Sequence, residues 1–202
     1  MSAEFLVISL MLAVMPGTGV LFVVSAALSF GLRGAVWGSV AGAVGVMPHL
    51  AAAVLGLSAL LTTFPVLYET LRIMGGCYLI WLAVQTWRHQ EGAPDAVPLD
   101  RGGPELVLKG AMINLLNPKL TLFFMAFLPQ FLAAGDPAPA TTTALLGSVL
   151  VVETLVVFFA YGILAATLGQ AIRRRPGVFA AMQNSMAVLF AGLGLRVLAG
   201  AR

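Results

Sequence analysis

Charged residues are scarce in this sequence, and their scarcity decides the class of protein. Only 9% of the 202 residues are charged and 60% are hydrophobic, whereas soluble domains carry about 25% charged residues. The mean hydropathy is +0.99. The sequence therefore predicts an integral membrane protein and leaves no room for a soluble domain. The net charge of +3 implies no nucleic-acid partner, because the basic residues collect at the ends of apolar runs.

Cysteine and histidine are almost absent as well. The single cysteine, Cys77, lies inside an apolar run, so the chain can form no intrachain disulfide and has no two-thiol redox pair. Of the two histidines, His49 and His89, the second lies in a polar segment. An intramembrane metalloenzyme needs closely spaced ligands, for instance two histidines one helical turn apart. We therefore predict neither a cofactor nor a bound metal.

Long apolar runs are what the sequence has in abundance. A transmembrane helix needs about 20 apolar residues to cross about 30 Å of hydrocarbon, whereas transmembrane β-barrels show short alternating segments. The runs therefore predict an all-α integral membrane protein with six transmembrane helices. They cover residues 5–30, 35–61, 66–87, 107–131, 142–168 and 178–198. The first run lacks the positive flank of a signal peptide, so we expect it to be retained as a helix.

The distribution of basic residues predicts the orientation. Cytoplasmic loops of membrane proteins accumulate Lys and Arg. Seven basic residues flank the loops after the first, third and fifth runs, and three lie on the other side. We therefore expect both termini outside the cytoplasm and the longest loop, about residues 88–106, inside it.

The first and fourth runs each contain a proline in the middle. The segment 15–19 reads Met-Pro-Gly-Thr-Gly, and the segment 114–119 reads Asn-Leu-Leu-Asn-Pro-Lys. Proline lacks an N–H group and clashes with the carbonyl one turn back, so it kinks or breaks a helix. We predict that helix 1 is broken at Pro16-Gly17 and helix 4 at Asn117-Pro118.

The two breaks also predict an internal repeat. Pro16 and Pro118 are 102 residues apart, half the chain. A repeat with an odd number of transmembrane helices begins and ends on opposite sides of the membrane. A second three-helix repeat must therefore have the opposite orientation in the membrane. We predict a single transmembrane domain over residues 1–202, made of two inverted repeats at about 1–90 and 107–202. Broken helices at matching positions of inverted halves are the best sequence indication of a transporter site near the midplane, although a kink that serves only packing is the alternative.

The polar residues at the breaks predict how an amino acid is bound. A lysine at mid-membrane depth costs about 3 kcal/mol even on a lenient scale, so it usually faces a polar interior. Helix N-termini bind anions, so the start of the helix after the first break, together with Lys119, is predicted to hold the carboxylate of a zwitterion. Freed carbonyls and side-chain amides, with Glu153, are predicted to receive its ammonium group. The predicted substrate-binding residues are Pro16, Gly17, Thr18, Gly19, Asn114, Asn117, Pro118 and Lys119.

Two titratable residues inside the apolar runs are predicted to carry protons. Glu153 and His49 both lie within predicted helices, and such residues mark proton relays in transporters. The alternative for Glu153 is a buried ion pair that only fixes helix packing. The alternative for His49 is a hydrogen bond to a neighbouring helix.

These motifs resemble the lysine-exporter family of bacterial translocators. The resemblance rests on Pro16-Gly17, on Gly-Cys-Tyr-Leu-Ile-Trp-Leu at 76–82, on Asn117-Pro118-Lys119 and on Pro-Gln-Phe at 129–131. It spans nearly the whole chain and is strongest for the homoserine and threonine exporter branch. The resemblance implies a six-helix, proton-driven exporter of amino acids in the bacterial inner membrane, and it allows a homodimer. In that membrane, the orientation predicted from the basic residues places both termini in the periplasm.

Other function classes stay open from the sequence. The same scaffold could export a metal ion or another small solute, but metal sites use several Asp, Glu or His ligands, and one carboxylate with one lysine argues against it. An intramembrane enzyme would need a nucleophile with its base, and a non-transporting protein would not need charges at mid-depth. The sequence does not fix which amino acid is exported.

Overall fold

The computed structural model describes residues 2–15, 17–63, 65–88, 103–132, 136–173 and 176–199. Over these residues the chain is helical and contains no strand, so the all-α prediction is confirmed. A π-helical turn and a short 3-10 turn follow α5 directly, at Phe123–Phe127 and Leu128–Phe131. The helices are α1 (Ala3–Val14), α2 (Thr18–Thr63), α3 (Pro65–Arg88), α4 (Pro104–Leu115), α5 (Pro118–Leu122), α6 (Pro139–Arg173) and α7 (Pro176–Ala199).

Several of these helices are long and apolar enough to cross a membrane. Among the described residues, Thr18–Gly56 and Pro139–Leu168 each meet the length and hydropathy of a span, and Pro104–Leu115 with Pro118–Phe131 meets them as one interrupted span. Ala3–Val14 and Gln183–Ala199 are shorter apolar helices. The chain is therefore a helical membrane protein, while the count of six spans stays a prediction.

Both predicted helix breaks are present. α1 ends at Val14, and Met15 has an extended backbone with ψ 114°. α2 then begins at Thr18, and the N–H of Leu21 donates to the carbonyl of Gly17 over 3.0 Å. Pro16 itself lies outside the described residues.

The second break lies between α4 and α5. α4 ends at Leu115, and Leu116 (φ −85°, ψ 4°) leaves the helical conformation. Pro118 is the first residue of α5, where its missing N–H costs no intrahelical hydrogen bond.

α2 is two helical arms joined at Gly31. This glycine has φ 60° and ψ −143°, a combination that other residues rarely adopt. The first arm (18–30) packs against the beginning of the second arm (32–63). A Cβ on Gly34 would overlap the carbonyl oxygen of Ala26, and one on Gly38 would lie 3.2 Å from Val23 Cα. The sequence boundary between runs 5–30 and 35–61 is therefore confirmed, and Gly34 and Gly38 allow the two arms to pack closely.

The chain divides into two compact units. Each unit draws segments from both predicted repeats, so the units do not coincide with the repeats. Unit 1 consists of Met1–Pro48, Glu91–Asn117 and Val149–Ala180, and unit 2 of His49–Gln90, Pro118–Ser148 and Ala181–Arg202.

Within unit 1, glycine contacts give the directions of the helices. A Cβ on Gly19 would lie 2.5 Å from Asn114 Oδ1, and a Cβ on Gly110 would overlap the ring of Phe22. Gly19 thus lies next to Asn114, and the later residue Phe22 lies next to the earlier residue Gly110. The first arm of α2 and α4 therefore run antiparallel. The inverted repeat itself stays a prediction.

The start of α6 is fixed by an aspartate in the preceding loop. Asp136 accepts hydrogen bonds from the Thr142 side chain and, over 2.8 Å, from the N–H of Ala138. Both bonds favour the ionised carboxylate and lower the pKa of Asp136. This contact helps to place the helix that carries Glu153.

Candidate functional site

Asn114, in the last turn of α4, is almost completely buried, at 1% exposure. Its Nδ2 donates to the carbonyl oxygen of Gly42, on the second arm of α2, over 2.8 Å. Its Oδ1 is 3.5 Å from Asn117 Nδ2, a long hydrogen bond. Leaving a buried amide unpaired would cost about 1–3 kcal/mol. The Asn114 amide therefore links the end of α4 to the second arm of α2.

Gly19, in the first turn of α2, lies directly against this amide. A Cβ there would come within 2.5 Å of Asn114 Oδ1 and 2.9 Å of the Phe158 ring. On the second arm, a Cβ on Gly42 would overlap the Phe158 ring, and one on Gly45 would lie 2.5 Å from Asn114 Cβ. Glycine at these positions brings the start of α2 and the end of α4 into direct contact within unit 1.

The end of α1 at the first break is capped by a tyrosine from α6. Tyr161 Oη donates to the carbonyl oxygen of Val14 over 2.7 Å. The last four carbonyls of a helix have no partner within the helix, and in a membrane each unpaired one is costly. Tyr161 also packs against the apolar cluster at this break, which consists of Ala13, Val20, Val23, Val157 and Phe158.

We expect Tyr161→Phe to lower stability by about 1 kcal/mol, the net value of one hydrogen bond. For a chain of this size that corresponds to a decrease in Tm of about 2–4 °C, measured by thermal unfolding in detergent. Tyr78→Phe is the matched control, because no hydrogen bond of its hydroxyl is found among the described residues and its ring contacts Trp81. Equal Tm values for the two variants would show that the Val14 cap contributes no stability.

Glu153 lies on α6 in unit 1, eight residues before Tyr161. The Ser9 side chain of α1 forms a hydrogen bond with its carboxyl group. Ser9 Oγ also donates to two carbonyl oxygens of its own helix, that of Phe5 over 2.8 Å and that of Leu6 over 3.3 Å. Glu153 Oε2 is buried and has no hydrogen-bond partner in the described part of the chain. A titratable group therefore lies between α1 and α6.

Lys119 lies in the first turn of α5, in unit 2, and is half-buried. Pro118, the preceding residue, is exposed. The helix that carries Lys119 is only five residues long before it changes to a π-helical turn. Such turns occur frequently at functional sites, so the charge and the irregular backbone fall in one short segment.

His49, also in unit 2, packs against this same segment. Its Nδ1 is 3.5 Å from Thr121 Oγ1. The imidazole ring stacks on Phe124, with ring centroids 6.1 Å apart and an interplanar angle of 11°. His49 therefore contacts a neighbouring helical segment, which is what the packing alternative predicts, and its proton-carrying role stays a prediction.

The π-helical turn buries three phenylalanines. Phe123, Phe124 and Phe127 are each less than 5% exposed. Phe123 meets Phe124 edge-on at 5.8 Å and stacks with Phe127 at 5.8 Å. A buried cluster of aromatic rings therefore follows Thr121 and Lys119 directly along the chain.

Most predicted site residues fall into one of two neighbourhoods. In unit 1 the structure brings together Gly19, Asn114 and Asn117, while Gly17 and the exposed Thr18 precede Gly19 at the same helix start. Glu153 lies in the same unit, next to Ser9. In unit 2 it brings together His49, Thr121 and the segment of Lys119. No group of three or more His, Cys, Asp or Glu side chains suited to a metal ion occurs in the described segments.

Four residues of these neighbourhoods were not predicted from the sequence. They are Ser9, Thr121, Phe158 and Tyr161. Thr121 follows Lys119 by two positions, so its closeness to the break was a usable signal. Ser9 lies two turns before Pro16 on α1, but nothing in its own segment indicated that it would meet Glu153. Phe158 and Tyr161 lie far from either proline in the sequence, and only packing places them at the first break.

The chain is similar to known membrane proteins over most of its length. It is 33% identical over 203 residues to the homoserine/homoserine lactone efflux protein of Salmonella typhimurium, covering 98% of this chain and 95% of that protein. It is 30% identical to a Vibrio cholerae protein described as an uncharacterized membrane protein, covering 95% and 93%. It is 26% identical to the leucine efflux protein of Klebsiella pneumoniae, covering 67% and 65%. No solved structure matches the chain.

The family comparison agrees with these relatives. The family model described as LysE type translocator matches residues 10–200, a range that includes both helix breaks and every predicted site residue. The chain therefore belongs to the LysE type translocator family.

Proposed function

We propose that this protein exports a small amino acid or amino-acid derivative, of the homoserine, threonine or leucine type, across the bacterial inner membrane. The observation that carries the proposal is the pair of interrupted helices, at 15–17 and 116–117, in a chain of a translocator family. Relatives named for homoserine, homoserine lactone and leucine efflux support this substrate class. The periplasmic placement of both termini belongs to the same proposal, as does the homodimer.

The helix start after the first break supports binding of a carboxylate. Gly17 accepts the first hydrogen bond of α2, from Leu21, so the next N–H groups, at Thr18 and Gly19, have no partner within the helix. Thr18 is exposed. These N–H groups and the positive end of the helix dipole favour an anion. We assign the substrate carboxylate to this turn, with Pro16 as the residue that interrupts the helix.

The remaining predicted residues have separate roles in the proposal. Lys119 supplies a positive charge at membrane depth. Pro118 interrupts the helix directly before Lys119. Asn117 and the carbonyls of the second break contact the ammonium group. Asn114, whose amide is engaged by Gly42 and Asn117, acts by positioning the first turn of α2.

We assign the coupled proton to Glu153 in preference to His49. Ser9 Oγ lies 2.8 Å from the Phe5 carbonyl oxygen and 3.3 Å from that of Leu6. When the Ser9 hydroxyl donates to one of these carbonyls, its oxygen is left as an acceptor for Glu153, and a carboxyl group that carries a proton is the form that can donate to it. Proton entry at Glu153 from the periplasm and release to the cytoplasm would drive export.

The experiment that tests the function uses cells loaded with labelled amino acid. Cells that express the protein are expected to release homoserine, threonine or leucine several times faster than cells with an empty vector, and a protonophore is expected to abolish the difference. A labelled divalent metal ion, tested in the same cells, is expected to be retained. Equal release of all three amino acids by both strains would contradict the proposal, and faster release of the metal would favour the metal-export alternative.

A further inference from the structure

An apolar groove lies between the last turns of α3 and the middle of α7, within unit 2. Its volume is about 290 Å³, just below the range for small-molecule pockets, about 300–1,000 Å³, and the groove is open to the surroundings along its length. Ala83 and Ala187, both buried, form its floor, and the exposed Val84 and Val188 form its walls. The groove is lined by Ala83, Val84, Trp87, Arg88, Ala187, Val188 and Ala191.

α3 and α7 approach each other most closely at Gly76 and Gly194, away from the groove. A Cβ on Gly194 would lie 2.9 Å from the carbonyl oxygen of Gly76, and a Cβ on Gly76 would lie 2.7 Å from Leu198. Close approach at glycine is typical of helix pairs in membranes. About two turns away, towards Arg88, Ala83 and Ala187 stand where the close approach has Gly76 and Gly194, and the space between the helices is left as a slot open to the surroundings.

The chemistry at the end of the groove is cationic. Arg88 is the last residue of α3, is exposed and has no ion pair or hydrogen bond with any residue that the structure describes. Trp87, beside it, is 58% exposed. Tryptophan is enriched at membrane–water interfaces, and the arginine guanidinium binds phosphate oxygens in a bidentate manner.

We propose that this groove binds an anionic phospholipid, with its phosphate on Arg88 and one acyl chain along Val84 and Val188. The slot is apolar along its length and positive at one end, which complements a lipid of this class. A second copy of the chain fits less well. A symmetric contact would bring two arginines together, and none of the described residues that line the groove is acidic and could neutralise them.

The test measures quenching of Trp87 fluorescence by brominated lipids in the full-length protein, reconstituted into bilayers. Trp37→Phe and Trp81→Phe remove the other two tryptophans, both of which are exposed. Brominated phosphatidylglycerol is expected to compete for the site about fivefold better than brominated phosphatidylcholine, which corresponds to about 1 kcal/mol for one basic residue.

Arg88→Gln is expected to abolish this preference, so that both lipids quench equally. Arg33→Gln, at another exposed arginine, is the matched control and is expected to retain it. Equal quenching by the two lipids before any arginine is changed would overturn the proposal, as would an undiminished preference in Arg88→Gln. Protection of Trp87 from both lipids in a cross-linkable dimer would also overturn it, since a second copy would then occupy the groove.

Discussion

Replacing Lys119 by alanine is expected to reduce amino-acid export at least tenfold while leaving the fold intact. A hydrogen bond to a charged group is worth about 1.5–3 kcal/mol, which corresponds to a loss of tenfold to more than a hundredfold in binding. Alanine is the best helix former, and removal of a charge at membrane depth relieves an insertion cost of about 3 kcal/mol. We therefore expect the Tm to stay the same or to rise.

The Tm separates this role from a structural ion pair. If Lys119 only neutralised a buried acid, its removal would destabilise the protein by about 3–5 kcal/mol. Lys109→Ala is the matched control, because Lys109 is an exposed lysine on α4, and it is expected to export at the normal rate. Normal export by Lys119→Ala in vesicles, at equal protein content, would contradict the assignment of Lys119 to the substrate.

Replacing Glu153 by glutamine is expected to uncouple export from the proton gradient. Glutamine keeps the shape and can still hydrogen-bond with Ser9, but it cannot take up and release a proton. Export against a concentration gradient, driven by an imposed pH difference, should fall at least tenfold in proteoliposomes. Exchange of labelled for unlabelled substrate across the same membrane should continue, because exchange requires no net proton movement.

Two further variants make this result specific. Glu105→Gln changes an exposed glutamate near the start of α4 and is expected to leave both activities unchanged. His49→Asn tests the second proton-carrying prediction in the same two assays. Loss of pH-driven export in His49→Asn, together with normal pH-driven export in Glu153→Gln, would transfer the coupling role from Glu153 to His49.

The interruptions of the helices could be predicted because their causes are local. Pro118 cannot continue a helix from α4 whatever surrounds it, and the structure starts α5 at that residue. The apolar run 142–168 likewise predicted a helix, and α6 extends a few residues beyond it at each end, at Pro139–Arg173. The extra turns are polar or carry charge, so a hydropathy criterion excludes them.

The turn at Gly31 shows what local sequence patterns do not predict. The sequence predicted a boundary between residues 30 and 35, but no turn-forming cluster indicated that one glycine would make the whole connection. The positive φ of Gly31 and the contacts of Gly34 with Ala26 make so short a turn possible. The contact depends on two helices already lying side by side, which no local pattern records.

The sequence by itself determined that this is a helical membrane protein, where its helices run and where two of them are interrupted, because hydrophobic length and proline chemistry act within one segment. The tertiary structure decided which polar groups meet. The Asn114–Gly42, His49–Thr121 and Tyr161–Val14 contacts join residues 72, 72 and 147 positions apart. A membrane helix is apolar around most of its circumference, so its sequence carries no stripe that shows which face meets a neighbour, and only packing selects that face.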